Sequence, residues 1–111
     1  MLTLTATDLT ALVSAHTEPP LLLLDVREDW EVALAPLQVA GAQTCHMPMG
    51  QVPGRLAELA PAQPIVAFCH HGVRSAQVVA FLVHQGRGPV YNLAGGIDAW
   101  STQVDPSVPR Y

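Results

Sequence analysis

The stretch that decides the fold is Ile65-Val66-Ala67-Phe68-Cys69-His70-His71-Gly72-Val73-Arg74-Ser75, residues 65–75. A short, wholly apolar run ends in a cysteine, and a polar loop with one glycine leads into the helical pattern of residues 74–85. A continuous apolar run of this length is typical of a strand that is buried on both faces. The stretch therefore predicts a strand, a tight loop and a helix, with Cys69 at the carboxyl end of the strand.

The same alternation of strands and helices continues on both sides of this stretch. Strands are expected at residues 1–4, 21–26, 44–47, 65–68 and 90–92. Helices are expected at residues 8–15, 28–34, 53–59, 74–85 and 97–103. The core face of the helix at 74–85 is predicted from the helical spacing of Ala76, Val79, Ala80 and Val83, and Gly86 is expected to cap its end. This order predicts an α/β fold, with a mostly parallel five-stranded sheet covered by helices on both faces.

Length and composition indicate one domain over residues 1–111, with an aperiodic surface tail at 104–111. The chain has 111 residues, half of them hydrophobic, which suits a single core. No apolar run approaches the length of a membrane span and the start lacks a secretory pattern, so we expect a cytoplasmic protein without membrane attachment. The formal net charge is −4 and the five arginines are scattered, which argues against nucleic acid as a partner.

The two cysteines, Cys45 and Cys69, do not form a disulfide framework. The histidines that adjoin them (His46, His70 and His71) lack the usual spacing of a structural metal site, so neither a metal nor a cofactor is expected. Cys45 has no polar loop around it and is expected to be a packed, inert thiol.

Cys69 has the surroundings of a reactive thiol. Ligands of open α/β sheets bind outside the carboxyl ends of the strands, where Cys69 is expected to lie. A loop that curls around the sulfur would aim backbone N–H groups and the amino end of the next helix at it, and both favour the thiolate. Gly72 permits a positive φ where the curl needs one, and Arg74 can hold an anion's oxygens or brace loop carbonyls. The loop therefore predicts an activated nucleophile inside an anion cradle.

Three motifs resemble the rhodanese family of sulfurtransferases in its single-domain form. They are Leu24-Asp25-Val26-Arg27-Glu28, Cys69-His70-His71-Gly72-Val73-Arg74-Ser75 and Tyr91-Asn92-Leu93-Ala94-Gly95-Gly96-Ile97-Asp98-Ala99-Trp100. The resemblance covers residues 21–100 in the expected order and implies the rhodanese-like three-layer fold. It also implies that Cys69 takes sulfane sulfur from a donor such as thiosulfate, carries it as a persulfide and passes it to a nucleophilic acceptor.

The resemblance assigns further residues and partners. The substrate-binding cradle is expected to consist of His70, His71, Gly72, Val73 and Arg74. The supporting residues are expected to be Asp25, Arg27 and Ser75, with Arg27 chiefly in a structural ion pair near a sheet edge. The implied partners are a small anionic sulfur donor and a thiol or cyanide acceptor, and a sulfur-relay protein is a further option. The family pattern is broken at residues 37–48, where two extra residues leave the pocket wall near Cys45 undetermined.

Two other classes of function remain open on the sequence. Cysteine-dependent phosphatases and arsenate reductases share this architecture, but they have one more residue between the cysteine and the arginine than the four that separate Cys69 from Arg74. A non-catalytic or sulfur-carrier interaction module is the second alternative. The presence of Cys69 argues against the non-catalytic form, because such a module has no need of a nucleophile.

Overall fold

A computed structural model describes all residues from 1 to 111 and contains five strands and four α-helices. The strands are β1 (Leu2–Leu4), β2 (Leu22–Asp25), β3 (Gln43–His46), β4 (Ile65–Phe68) and β5 (Val90–Leu93). The α-helices are α1 (Ala6–Ala15), α2 (Asp29–Leu34), α3 (Val73–His84) and α4 (Gly96–Gln103). Two 3-10 helices, Met49–Gln51 and Pro53–Glu58, lie between β3 and β4.

The five strands form one sheet in the order β1-β5-β4-β2-β3, and every neighbouring pair is parallel. This confirms the predicted α/β class and strand number. The two most apolar strands, β2 and β4, occupy interior positions, because only there are both faces and both edges covered. Asp25 and Arg27 therefore follow an interior strand, and the expectation that they lie near a sheet edge is wrong.

Helices cover both faces of the sheet and produce two separate cores. The successive leucines of β2 show the division: Leu21 and Leu23 belong to the core beneath α1 and α4, whereas Leu22 and Leu24 belong to the core beneath α3. A strand side chain alternates between faces, so an uninterrupted apolar run is what a sheet covered on both faces requires. The three-layer arrangement follows from this alternation.

The buried face of α3 differs from the one that the spacing predicts. The inward residues are Ser75, Val78, Val79 and Leu82, whereas Val83 is 54% exposed. Both sets of residues have helical spacing, so periodicity alone does not choose between them. The observed rotation places the larger Leu82 in the core and turns Ser75 toward Cys69.

The segment after Pro53 is a 3-10 helix with a kink at Arg55 instead of the expected α-helix. Gly54 has a low helix propensity and Pro61 follows closely, so the segment lacks the length and composition of an α-helix. The apolar residues on either side, Val52 and Leu59, are nevertheless buried in the core beneath α3.

The C-terminal segment, residues 104–111, contributes to the core as well as to the surface. Val108 is 8% exposed and packs with α1 and α4, and its carbonyl accepts a hydrogen bond from the Ser101 hydroxyl. Tyr111 is half-buried. The description of this segment as a surface tail is therefore incomplete. None of the four helices combines the length and apolar character needed to cross a bilayer.

The orientation of α3 can be tested with two neighbouring substitutions. Leu82→Ala should lower the free energy of unfolding by about 2–5 kcal/mol, because a fully buried leucine leaves a cavity. Val83→Ala, one residue further along an exposed face, should change it by less than about 0.5 kcal/mol. Urea unfolding of both variants measures the two free energies of unfolding. Equal losses would contradict the orientation of α3 described above.

Candidate active site

Cys69 directly follows β4, and its sulfur lies within the loop that leads to α3. The Sγ atom accepts backbone hydrogen bonds from the N–H of Gly72 at 3.1 Å and from the N–H of Ser75 at 3.4 Å. The Ser75 hydroxyl is also 3.4 Å from Sγ. The residue is only 1% exposed. The loop thus surrounds the sulfur with donors, as the sequence predicts.

The amino end of α4 holds the loop in this curl. The N–H of Ile97 donates to the carbonyl of Cys69 at 2.9 Å, and the N–H of Asp98 donates to the carbonyl of His70 at 3.2 Å. Since both carbonyls point toward α4, the N–H groups that follow them are free to face the sulfur. A Cβ atom at Gly96 would collide with those same two carbonyl oxygens. Gly96 is therefore needed for the close approach of α4 to the loop.

The far side of the loop is braced from β5. Gly72 has a φ of +105°, in the left-handed region that the curl was expected to need. Its carbonyl accepts a hydrogen bond from the Asn92 amide at 3.1 Å, and the Asn92 carbonyl oxygen accepts one from the Ser75 hydroxyl at 2.6 Å. Asn92 is 8% exposed, and its side-chain amide joins both ends of the cradle, Gly72 and Ser75, to β5.

These contacts decide the ionisation of Cys69. Burial alone would raise the pKa of the thiol, but the contact with the Ser75 hydroxyl and the hydrogen bonds from the N–H groups of Ser75, Gly72 and His71 outweigh it. The net effect is a lowered pKa, and a larger thiolate fraction at neutral pH. Cys45 behaves in the opposite way, because burial raises its pKa and the attraction of Arg55 only partly offsets this.

Arg74, the last residue of the cradle motif, points away from the sulfur. Its two terminal nitrogens donate to the carboxylate of Glu31 at 2.5 and 2.9 Å. Glu31 is only 3% exposed, and the hydrogen bond from Arg74 is the largest cause that lowers its pKa to about 2. The guanidinium thus contacts neither the sulfur nor a loop carbonyl, and it links α3 to α2.

Beneath this pair lies the ion pair of Asp25 and Arg27. Arg27 is fully buried, and its Nη2 lies 2.7 Å from an oxygen of Asp25. The guanidinium also lies 5.4 Å from the centre of the Phe68 ring. The Tyr111 hydroxyl connects the two ion pairs, since it accepts from Arg27 at 3.2 Å and donates to Glu31 at 2.7 Å. The side chains of Asp25 and Arg27 form no hydrogen bond with Cys69 or with the loop that follows it; Arg27 joins the end of β2 to α2 and to Tyr111.

A row of four aromatic rings runs from His70 and His71 of the loop to Tyr111 and then to Trp30 of α2. The His70 ring stacks between those of His71 and Tyr111, at centroid distances of 3.9 and 4.0 Å. Tyr111 in turn meets Trp30 edge to face at 5.9 Å. Val73 is 71% exposed beside them. We refer to the row of Trp30, Tyr111, His70 and His71 as the aromatic strip.

One group of side chains has the elements of a metal site. His70, His71 and Asp98 place ligand atoms within 4.8 Å of one another. The two imidazoles lie face to face, so their nitrogens cannot both point at one ion without a rotation of the rings. The Asp98 carboxylate is also bound to Arg110 at 3.0 Å. This group fits a metal ion poorly.

Four residues of the site escape the sequence analysis. Asn92 carries a signal, because it is a polar residue within a strand that is otherwise apolar. Glu31 carries none, since it is the only buried residue of α2. Gly96 appears in the sequence only as part of the third motif. Tyr111 carries no signal at all, since it ends a segment of eight residues without periodicity or a motif.

Comparison with known proteins agrees with this geometry. A family model of the rhodanese-like domain matches residues 5–103. A protein of Allochromatium vinosum named sulfurtransferase is 38% identical over 85% of this chain and 83% of its own length. The putative sulfurtransferase YtwF of Bacillus subtilis is 37% identical over 82% of this chain and 84% of its own length. The crystal structure of a rhodanese-like domain protein from Staphylococcus aureus is 30% identical, covers 90% of this chain and 91% of its own, and superposes with a TM-score of 0.73.

The chain belongs to the rhodanese-like domain family, and its close relatives are named sulfurtransferases. The fold and the family resemblance expected from the three sequence motifs are thereby confirmed.

The opposite environments of the two cysteines can be measured directly. In the Cys45→Ser protein, the ultraviolet absorbance of the remaining thiolate should titrate at a clearly lower pH than in the Cys69→Ser protein. The backbone donors around Cys69 and the burial of Cys45 are the physical reasons. A higher midpoint for Cys69 than for Cys45 would contradict the role given to the loop.

The pairing of Glu31 with Arg74 predicts a dependence of stability on pH. The pKa of Glu31 is about 2 in the folded protein, below the usual value, so its contribution is complete above about pH 5 and is lost as the pH falls toward 2. The gap in free energy of unfolding between the native protein and Glu31→Gln should therefore shrink by about 2 kcal/mol on acidification. Glu18→Gln, at an exposed position, serves as the control. A gap that is constant from pH 7 to pH 2.5 would exclude this pairing in solution.

Proposed function

We propose that this domain transfers sulfane sulfur through a persulfide on Cys69, from thiosulfate or a persulfide donor to a nucleophilic acceptor. The observation that carries the proposal is the set of backbone N–H groups around Sγ, those of Gly72 and Ser75 at 3.1 and 3.4 Å. Amide donors in a fixed loop stabilise charge on sulfur without reorganisation during the reaction. The family membership and the names of the relatives support the same chemistry.

In the first half-reaction, the Cys69 thiolate attacks the outer sulfur of the donor. The sulfur–sulfur bond of the donor breaks, and its electron pair leaves with the rest of the donor, which is sulfite when the donor is thiosulfate. In the second half-reaction, a thiolate or cyanide attacks the terminal sulfur of the persulfide, and the electron pair of the broken bond returns to Cys69. No external oxidant or cofactor is needed, and the same N–H groups serve both anionic forms of Cys69.

The direction of Arg74 favours this chemistry over phosphoryl or arsenate transfer. A phosphate-binding loop needs donors for three oxygens around the nucleophile, and a guanidinium is the usual bidentate donor for such oxygens. Here the guanidinium of Arg74 is paired with Glu31, and Cys69 is followed by only four residues before it. The tight ring suits one terminal sulfur atom better than a tetrahedral oxyanion.

The opening suits a narrow acceptor. Cys69 is 1% exposed, so an acceptor must reach the terminal sulfur as a thin group. Cyanide, a small thiol or the extended end of a sulfur-relay protein has that shape. Each of these acceptors has a nucleophilic atom at the end of a slender group, and the reaction needs no other property of the acceptor.

The nucleophile can be tested by mass spectrometry of the intact protein. After incubation with thiosulfate, the native protein and Cys45→Ser should each gain the mass of one sulfur atom, which cyanide should remove. Cys69→Ser should gain none and should lose sulfur transfer, because a serine hydroxyl does not form the thiolate on which the first step depends. Hydrolysis of an aryl phosphate by the same preparation should be negligible. Phosphatase turnover that requires Cys69, without a persulfide from any donor, would overturn the proposal in favour of phosphoryl transfer.

A further inference from the structure

No arginine near Cys69 is left free to attract an anionic donor. The chain has no lysine, and all five of its basic residues are arginines. Each arginine is held by partners within the chain: Arg27 by Asp25, Arg55 by Glu58, Arg74 by Glu31, Arg110 by Asp98, and Arg87 by the carbonyls of Leu56 and Leu59. A dianion that approaches Cys69 therefore meets no unpaired positive charge.

Arg74 is the arginine nearest to the loop, and its charge is neutralised. The bidentate contact with Glu31 uses both terminal nitrogens of the guanidinium. Because the pKa of Glu31 is about 2, its carboxylate is ionised at any pH at which the enzyme is expected to work. The attraction that remains for an anion comes from the backbone N–H groups of the loop and acts only at short range.

Unpaired negative charge lies at the same end of the sheet as Cys69. Glu28 and Asp29 follow β2, the strand adjacent to β4, and both are exposed. The Asp29 side chain is 92% exposed and has only His46, at 3.8 Å, as a partner. Since the three ion pairs at this end of the sheet cancel, these two carboxylates give it an excess of negative charge. The Cys69 thiolate adds a further negative charge.

The aromatic strip adds a second preference at the same place. Trp30 is 63% exposed, and its ring is linked to the loop through Tyr111 and His70. Aromatic faces attract cations and apolar groups, and Trp is the strongest of them for cations. Burial, and secondarily the neighbouring His71, lower the pKa of His70, so that its ring adds little positive charge at neutral pH.

We propose that the preferred donor of this site is an organic persulfide whose carbon tail is uncharged or cationic, instead of dianionic thiosulfate. This inference rests on the proposed function and narrows its substrate class. The thiolate of Cys69 attacks the terminal sulfur of R–S–S⁻, and R–S⁻ leaves with the electron pair of the broken bond. This step brings two negative charges together, whereas the reaction with thiosulfate brings three together. The carboxylates of Glu28 and Asp29 repel each of these charges.

A series of persulfides of similar size tests the preference. The persulfides of cysteamine, 2-mercaptoethanol and 3-mercaptopropionate carry a tail charge of plus one, zero and minus one. The second-order rate of sulfur loading on Cys69 at low salt should fall in that order, by roughly threefold or more at each step. The differences should shrink in high salt, where charges are screened. For thiosulfate, kcat/KM should rise with ionic strength, because the reactants repel each other.

Reversal of the charge at Asp29 tests whether the carboxylates at this end of the sheet cause the preference. Asp29→Lys should raise kcat/KM for dianionic thiosulfate by roughly threefold to tenfold at low salt, and should raise that for the singly charged 2-mercaptoethanol persulfide by only about the square root of that factor. Glu18→Lys, the same change of charge before β2 at the opposite end of the sheet, should alter neither, and thermal melts verify that both variants fold.

The outcomes separate this inference from the proposed function. If kcat/KM for thiosulfate falls with salt, or the three tails load Cys69 equally fast, the donor preference is wrong while sulfur transfer through Cys69 stands. If no sulfane donor adds sulfur to Cys69, both are wrong.

Discussion

The two hydrogen bonds from the amino end of α4 to the carbonyls of Cys69 and His70 are the constraint on which the site depends. A peptide plane has its carbonyl and N–H on opposite sides, so these two bonds turn the N–H groups of His70 and His71 away from α4, and the N–H of His71 helps to lower the pKa of Cys69. The cradle is therefore not a property of the loop residues alone. It arises where the ends of β4, β5 and α4 meet, because Asn92 holds the other side of the same loop.

The polar residues beneath the loop form a second level of support. Arg27 is fully buried, and Asp25, two backbone carbonyls and Tyr111 accept its hydrogen bonds. A buried ion pair contributes little net stability by itself, but removal of one partner leaves the other charge uncompensated. This arrangement fixes α2 against the sheet, and so holds Glu31 where Arg74 can reach it. The orientation of the cradle motif thus depends on residues that never contact the sulfur.

How far the sequence predicts this protein depends on how local each feature is. The strand at 65–68, the left-handed Gly72 and the position of Cys69 were predictable, because apolar runs and glycines act within a few residues. The partner of Arg74 was not, since a guanidinium at the amino end of α3 can face either the loop or α2, and only the packing of α2 decides. The prediction of the buried face of α3 was wrong for a related reason, because two sets of positions had the same helical spacing. Tyr111 lay beyond prediction, as its contacts are all long-range.

The hydroxyl of Tyr111 has a consequence for proton movement. Arg27 can only donate and an ionised Glu31 can only accept, so the phenol between them has one fixed direction. Burial raises the pKa of Tyr111 to about 12 and Arg74 keeps that of Glu31 near 2, so neither group changes its proton number near neutrality. The side chains of Tyr111 and Glu31 therefore neither release nor take up a proton near neutral pH. A leaving thiolate that needs a proton must take it from solvent at the opening, on the side of His71.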